Sequence, residues 1–193
     1  MQSSGEIHVR RALRPGDLGA IVEMHGRVYG REYGNDARFE GMVAGSVARA
    51  AARGFPSRRE GIWIVERDGE HCGSTALTDE GDGTAMVRWV LLDASLRGAG
   101  LGRRMIGELV EEARGHGYEK LCLETFSLLR AAAHIYRSFG FEIVSTDSAP
   151  RWGHERIDYQ RYELDLQSTS TKAPPRRGSP PPSNPPSASR ATA

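Results

Sequence analysis

Hydrophobic positions recur along the chain with two different periods, which predicts a body that mixes helices and strands. Helical spacing follows the Pro15-Gly16-Asp17 turn and returns in the segment that holds Phe39 and Val47. Further helical stripes run from Leu101 to Ala113 and from Leu128 to Phe139. Strand-like runs fill the intervals. The predicted order is β-α-α-β-β-β-α-β-α-β-β, with no internal repeat.

The strand-like runs begin near the first residues and continue to the end of the body. The first covers Glu6–Ala12, and GIWIVERDG then meets EHCGSTALT through Asp68-Gly69, a dipeptide typical of tight hairpins. The run TAMVRWVLLD follows an EGDG turn, and KLCLETF, FEIVS and YQRYELDL come later. We therefore expect an antiparallel meander within a mixed α/β body.

The last 26 residues, Ser168–Ala193, differ from the rest in composition. They hold seven of the ten prolines, four basic residues and no acidic residue. Such a segment buries too little apolar surface to offset the entropy of ordering. We expect one folded domain over residues 1–167 and a disordered, basic, Pro/Ser-rich tail over residues 168–193. A proline-rich ligand for a partner domain is the alternative interpretation of the tail.

Charge, apolar runs and cysteine spacing exclude several classes of protein. Without the tail's four basic residues, the body has 22 basic against 25 acidic residues, whereas a nucleic-acid-binding domain shows a strong basic excess. No signal peptide and no apolar run of about 18 residues is present. Cys72 and Cys122 lack the close spacing of a metal site. We expect a cytoplasmic protein with no membrane segment, nucleic-acid partner or metal.

The glycine-rich stretch over residues 87–104, VRWVLLDASLRGAGLGRR, is the most informative segment for function. A strand ends there and a helix begins within the glycine turn. N–H groups in a first helical turn lack partners, and the glycines let an anion approach them. The Rossmann pattern needs a third glycine where this chain has Arg103, and the Walker Gly-Lys-Ser/Thr is absent. The stretch predicts a phosphate site, or otherwise a tight strand-to-helix turn.

Two motifs carry a family resemblance. Arg97-Gly98-Ala99-Gly100-Leu101-Gly102 resembles the Arg/Gln-x-x-Gly-x-Gly/Ala signature of the GNAT superfamily of N-acetyltransferases. Ala132-Ala133-His134-Ile135-Tyr136 followed by Gly140-Phe141 resembles that family's Ala-x-x-x-Tyr-x-x-x-Gly-Phe motif. The likeness covers roughly Glu6 to Leu166. It implies the α/β GNAT fold, with a central, mostly antiparallel sheet and helices on both faces.

A weaker likeness concerns the segments HGRVYGREYG and RWGHERIDYQRYELDL. They are similar to acetyltransferase domains fused behind MarR-type DNA-binding regulators. Because only a few residues come before the first predicted strand, we expect no helix-turn-helix ahead of the domain.

The GNAT resemblance implies an enzyme that transfers an acetyl group from acetyl-CoA to a primary amine by direct attack, with no acyl-enzyme. In that family the glycine loop holds the pyrophosphate of coenzyme A, and the preceding strand pairs with the pantetheine arm. Leu129 stands where members often carry Asn, which removes one common polar contact to that arm. The implied cofactor-binding residues are Val90, Leu91, Leu92, Arg97, Gly98, Ala99, Gly100, Leu101, Gly102, Arg103 and Ala132.

The same resemblance makes Tyr136 the candidate general acid for the departing thiolate, although a tyrosine that fills the buried face of its helix is the alternative. The backbone N–H around Val90 is the candidate oxyanion donor. An amine with a pKa of about 10.4 must lose a proton near neutral pH, and Glu124 and His25 are candidate bases. His25 falls on the apolar face of the first predicted helix, so a hydrogen-bonded histidine at the edge of the core is the alternative interpretation. Candidate substrate-binding residues, which lie where this fold builds its acceptor pocket, are His25, Tyr29, Glu32 and Tyr33.

A non-catalytic acyl-CoA-binding module, with the proline-rich tail as its partner-binding element, is the competing interpretation. Leu129 favours that module slightly, and Tyr136 argues against it. A nucleic-acid-binding regulator is disfavoured by the near-neutral body. Relatives often form homodimers, so a homodimer is compatible with the resemblance, and the acceptor is a small-molecule or peptide amine.

Overall fold

A computed structural model describes residues 5–167, which form seven strands, four α-helices and a short 3-10 helix, Ala94–Leu96. The predicted tail at residues 168–193 lies outside the described residues. The helices are α1 (Asp17–Tyr33), α2 (Ala37–Ala52), α3 (Leu101–Gly115) and α4 (Arg130–Ser138). The strands are β1 (Ile7–Arg10), β2 (Gly61–Arg67), β3 (Glu70–Gly81), β4 (Thr84–Leu92), β5 (Lys120–Phe126), β6 (Glu142–Arg151) and β7 (His154–Asp165).

The strands form one sheet in the order β1-β2-β3-β4-β5-β7-β6. Neighbouring strands pair antiparallel except at the centre of the sheet, where β4 and β5 run parallel. A parallel pair needs a crossover connection, and here α3 supplies it. This architecture confirms the predicted order of elements and the mixed, mostly antiparallel fold.

Three of the antiparallel pairs are joined by turns with the same backbone geometry. Asp68-Gly69, Asp82-Gly83 and Trp152-Gly153 each place two successive residues at positive φ, from 48° to 94°. Such turns match the right-handed twist of paired strands, and they favour Asp-Gly sequences. The sequence predicted the first two turns. The third places a tryptophan in a conformation that bulky residues rarely adopt.

Each face of the sheet has its own hydrophobic core, because side chains along a strand alternate between faces. Ile62 and Ile64 of β2 lie in the core beneath α1 and α2. Trp63 and Val65 of the same strand lie in the core beneath α3 and α4. The apolar stripes predicted for α1, α2 and α3 face these cores, so the sheet separates two layers of helices.

The helix α4 differs from its prediction at the N-terminal end. The apolar stripe was expected to begin at Leu128, but the helix begins at Arg130 and Leu128 is 44% exposed. Leu129 has a ψ of 57° and its N–H donates to the carbonyl of Phe126, so the chain turns before the helix starts. Within residues 5–167, no helix is both long and apolar enough to span a membrane.

Candidate active site

The centre of the sheet opens where β4 and β5 part. Their parallel pairing runs from Thr84 with Lys120 to Val87 with Leu123 and then stops. The strand β4 nevertheless continues to Leu92, and β5 continues beyond the last pair as well. Since both strands end on the same side of the sheet, the loops that follow them flank one wedge-shaped opening.

A β-bulge lies in β4 beside this opening. Trp89 and Val90 stand opposite a single residue of β3, Thr75, and Trp89 adopts a φ of 51°. The buried hydroxyl of Ser74 donates to the Trp89 carbonyl oxygen at 2.7 Å. Bulges twist a strand and re-aim the groups that follow. The bulge therefore sets the direction of the last residues of β4.

The side chains after the bulge lie on both sides of the sheet. Val90 and Leu92 pack against the core beneath α3 and α4, as Ala132 of α4 does. Leu91 belongs instead to the core beneath α1 and α2. Residues 90–92 are predicted to line the cofactor arm. Because their side chains lie on opposite faces of the sheet, only the backbone of all three can contact that arm.

The glycine loop ends in unpaired backbone donors at the start of α3. Gly98 and Gly100 take φ values of 82° and 80°, and Gly100 is the N-cap of the helix without a side-chain cap. Among the described turn and loop hydrogen bonds, none is donated by an N–H of residues 98–103. Clustered donors of this kind, with the partial positive charge of a helix N-terminus, suit an anion.

The arginines near this loop point in different directions. Both terminal nitrogens of Arg97 donate to Glu32, at 2.6 and 3.2 Å, and its Nε donates to the Leu92 carbonyl. Arg103 turns to α4, where it donates to Ser138 and stacks on Phe139. Both side chains are thus engaged with other protein groups. A surface pocket of ≈ 290 Å³ beside the loop is lined by Ile7, Ala99, Gly100, Leu101 and Arg104.

Tyr136 lies in the core beneath α3 and α4 and is 5% exposed. Its ring contacts Phe141 and Tyr162, with centroids 6.0 and 6.1 Å away. Burial raises the pKa of Tyr136 well above its ordinary value, so the phenol keeps its proton near neutral pH. Tyr29, in the core of the opposite face, also has a raised pKa, chiefly from burial and then from Tyr136.

Glu124 is the first residue of β5 beyond the last pair with β4. One carboxylate oxygen accepts a hydrogen bond from the Tyr159 hydroxyl at 3.0 Å, and the other lies 3.6 Å from Arg161. Burial raises the pKa of Tyr159, and the Glu124 carboxylate adds to that rise. The carboxylate thus has two partners, both on β7, the neighbour of β5 on the side away from β4.

Aromatic rings close the side of the opening beneath α1 and α2. Tyr29 stacks on Phe39 at 4.7 Å, and the rings of Tyr29 and Tyr33 lie 5.7 and 5.8 Å from Phe126. Trp152, at the β6–β7 turn, contacts Phe39, and its carbonyl accepts from the Asp36 N–H. Three members of this wall, Phe126, Trp152 and Tyr159, were not among the candidate residues predicted from the sequence.

His25 lies below this wall rather than at its surface. Its Nδ1 is 2.8 Å from the carbonyl oxygen of Ile21, and the ring stacks on Tyr29. Burial lowers the pKa of His25 to about 4. The imidazole is therefore neutral near pH 7, and its packing supports the position of Tyr29.

Comparison with solved structures finds the same architecture. The yncA protein of Salmonella typhimurium, solved with its cofactor acetyl-CoA, superimposes with a TM-score of 0.62 at 20% identity, over 83% of this chain and 94% of that one. An N-acetyltransferase from Staphylococcus aureus Mu50 has a TM-score of 0.64 at 20% identity, over 84% and 99%. Likeness at this level of identity establishes the fold.

Two curated relatives share sequence with part of the chain. YjgM of Escherichia coli K12, named as an N-acetyltransferase, is 32% identical over 84 residues, which cover 42% of this chain and 50% of that protein. Camello of Xenopus tropicalis, also named as an N-acetyltransferase, is 24% identical over 109 residues, 53% and 50% of the two chains. The chain thus spans about half the length of the curated relatives it matches.

The finer likeness to domains fused with MarR-type regulators receives no support from these relatives. The family likeness, in contrast, covers both strands that flank the opening. The model of the acetyltransferase (GNAT) family matches residues 31–141, which include the end of α1, the glycine loop and Tyr136. Because that match covers more than half of the 193 residues, the chain belongs to the GNAT acetyltransferase family.

Proposed function

We propose that this protein transfers an acetyl group from acetyl-CoA to a primary amine. The observation that carries the proposal is the opening between β4 and β5 beyond Val87 and Leu123, together with the unpaired N–H groups of residues 98–103. Both features lie at the carboxyl ends of the two parallel strands. A cofactor with a pyrophosphate and an extended arm needs these two features side by side.

The groups in the opening fit coenzyme A. The N–H groups of residues 98–103 would hold the pyrophosphate, since they have no described partner and the glycines leave the backbone open. The edge of β4 that no longer pairs with β5 would hydrogen-bond the pantetheine arm. The acetyl-CoA found with the Salmonella typhimurium protein agrees with this assignment.

In the proposed reaction the amine nitrogen attacks the thioester carbonyl, so a C–N bond forms and the C–S bond breaks. The Val90 N–H is the proposed donor to the oxyanion, because the bulge at Trp89 directs the backbone that follows. Tyr136 donates its proton to the departing thiolate. Glu124 accepts the proton that the amine loses, and its place at the edge of the opening supports that role.

The cysteines support direct attack rather than an acyl-enzyme. Burial raises the pKa of the Cys122 thiol, which disfavours the thiolate needed for nucleophilic attack. Its sulfur lies 3.1 Å from Arg161 and 3.7 Å from Glu163, so it takes part in a polar cluster on the sheet. The amine would therefore attack the thioester itself in a ternary complex.

Two expectations about assembly and place belong to the same proposal. A homodimer is supported by the edge strand β6, where Ile143 and Val144 are 40% and 53% exposed. A cytoplasmic location is supported by the acetyl-CoA requirement of the proposed reaction. The acceptor remains a small-molecule or peptide amine.

The test is thiol release from acetyl-CoA by the purified full chain, with a panel of amines that includes peptides, polyamines and amino sugars. The proposal expects release that depends on an added amine and an acetylated product of matching mass. Acetyl-CoA binding by calorimetry without release for any amine would favour the non-catalytic acyl-CoA-binding module, for which Leu129 in place of the family's Asn is the supporting residue.

A further inference from the structure

The end of α1 is joined to the glycine loop by an ion pair between Glu32 and Arg97, and the Glu32 carboxylate also accepts from the neighbouring Arg31 at 3.2 Å. The carboxylate of Glu32 accepts from two nitrogens of Arg97, at 2.6 and 3.2 Å, in a bidentate arrangement. Bidentate arginine–carboxylate pairs have defined geometry and are stronger than single contacts. Only 19% of the Glu32 side chain and 40% of the Arg97 side chain are exposed, so solvent screens the pair incompletely.

The remaining nitrogen of Arg97 holds the end of β4. Its Nε donates to the Leu92 carbonyl oxygen at 3.0 Å, at the last residue of that strand. One guanidinium therefore links three parts of the site, namely the end of α1, the end of β4 and the start of the glycine loop. All three of its nitrogens donate to Glu32 or Leu92, so a contact between Arg97 and a phosphate at residues 98–103 would compete with these bonds.

Electrostatics agree with this arrangement. The hydrogen bonds with Arg97 lower the pKa of Glu32, and those with Glu32 raise the pKa of Arg97. Glu32 raises the pKa of the phenols of Tyr29 and Tyr33, whereas Arg97 lowers it. The ion pair therefore acts electrostatically on two members of the aromatic wall.

We propose that Glu32 is a positioning residue that holds Arg97 away from the cofactor phosphates and fixes the acceptor end of α1 against the glycine loop. The inference rests on the proposed use of acetyl-CoA. The backbone of residues 98–103 then binds the pyrophosphate without the Arg97 side chain. The Glu32 carboxylate is paired with Arg97, so it does not bind the acceptor itself. It affects acceptor binding by fixing the positions of Tyr29 and Tyr33.

The first test measures acetyl-CoA affinity by calorimetry for Glu32→Gln, Arg97→Gln and the double variant. We expect each single substitution to weaken affinity by about two- to fivefold, the range for an ion pair of this exposure, and the double variant to be no weaker than the single ones. Unchanged or tighter affinity in Glu32→Gln alongside a large loss in Arg97→Gln would mean that Arg97 contacts the phosphates, which overturns the proposal.

Glu23→Gln is the matched control, because Glu23 lies on the same helix and pairs with Arg27 at 2.6 Å. We expect that variant to keep the affinity of the wild type. If Glu23→Gln loses as much acetyl-CoA affinity as Glu32→Gln, any charge change on α1 weakens binding, and the positioning role of Glu32 is wrong.

The second test measures amide hydrogen exchange on the protein without cofactor. It reports on the Glu32–Arg97 ion pair even if the protein acetylates no amine. Arg97→Gln should speed the exchange of the Gly34 and Asn35 amides, which cap α1. Glu32→Gln should speed the exchange of the Leu96 and Arg97 amides, which hold the turn before the loop. Exchange that changes only near each substituted residue would contradict the link. If the wild type releases no thiol with any amine while each substitution still speeds amide exchange on the other side of the pair, the proposed function is wrong and the link between Glu32 and Arg97 stands.

Discussion

Ser74 of β3 donates its hydroxyl to the Trp89 carbonyl at 2.7 Å, where β4 carries one more residue than its partner strand. We expect Ser74→Ala to lower the free energy of unfolding by about 1–3 kcal/mol, because a buried carbonyl loses its partner. The bulge should relax as well, so turnover should fall more than stability alone explains. Amine-dependent thiol release from acetyl-CoA measures turnover, and urea unfolding of the same preparation measures stability.

Ser46→Ala is the control for that variant. The Ser46 hydroxyl accepts from the Trp89 indole nitrogen at 3.2 Å, so it contacts the same residue through the side chain instead of the backbone. A similar stability loss with normal turnover is expected. Equal losses of turnover in both variants would show that Trp89 packing, and not the bulge carbonyl, is what matters.

Tyr136→Phe should reduce the maximal rate of acetyl transfer and leave acetyl-CoA affinity nearly unchanged. The variant keeps the ring contacts with Phe141 and Tyr162 and removes only the phenol proton. Tyr118→Phe offers a comparison, since that buried hydroxyl donates to the Arg59 carbonyl away from the opening. Steady-state rates with calorimetric affinities decide the matter, and full activity in Tyr136→Phe would exclude the acid role.

Gly100→Val should abolish acetyl-CoA binding. The residue is the N-cap of α3 with a φ of 80°, a region in which a β-branched residue costs roughly 1–2 kcal/mol. An added Cβ would meet no protein atom within 4 Å, so its side chain would project into the space left for the phosphate. Calorimetric titration with acetyl-CoA tests this directly.

Gly16→Val separates blocked binding from backbone strain. Gly16 is the N-cap of α1, has a φ of 99° and likewise has open space around its Cβ position. It should lose similar stability and bind acetyl-CoA normally. Tight binding by Gly100→Val would remove the glycine loop from the proposed phosphate site.

Glu124→Gln should lower amine acetylation near neutral pH, and the deficit should shrink as the pH approaches the pKa of the amine. A lysine-like amine has a pKa of about 10.4, so at higher pH more of it is already neutral and a base matters less. Glu163→Gln is the control, because Glu163 pairs with Lys120 and Arg161 on the same sheet. A deficit that stays constant from pH 7 to pH 10 would rule out Glu124 as the base.

The local sequence predicts the Asp68-Gly69 turn and misses its counterpart at Trp152-Gly153. In the first case the residue types themselves prefer positive φ. Trp152 instead holds its φ of 49° through contacts with distant rings, including Phe39 and Phe126, and through the Asp36 N–H. Turn composition cannot register such contacts, so Trp152, one member of the aromatic wall, was absent from the prediction.

The glycine motif likewise predicts its backbone but not the direction of its side chains. Its residue types predict an anion-binding backbone, and the free N–H groups at the start of α3 match that prediction. The direction of Arg97 depends on Glu32, which lies 65 residues earlier in the chain. Spacing within a motif carries no information about such a partner, and only the packing of α1 beside the loop supplies it.

Acid should destabilise the protein partly through His25. Burial lowers the pKa of this imidazole to about 4, whereas an unfolded histidine has a pKa of about 6.5. The unfolded state therefore binds the proton more tightly, and the stabilisation present above pH 6.5 is lost as the pH falls towards 4. Between pH 7 and pH 5 this linkage removes about 2 kcal/mol of unfolding free energy.

His25→Gln tests that assignment because the variant has no proton to gain. Its unfolding free energy should be lower at pH 7, where the contact with the Ile21 carbonyl and the stacking on Tyr29 are altered, but it should fall less steeply towards pH 5. Burial also lowers the pKa of His71, so a residual slope is expected. Urea unfolding at pH 7 and pH 5 gives both slopes, and an unchanged slope in His25→Gln would assign the acid sensitivity to other groups.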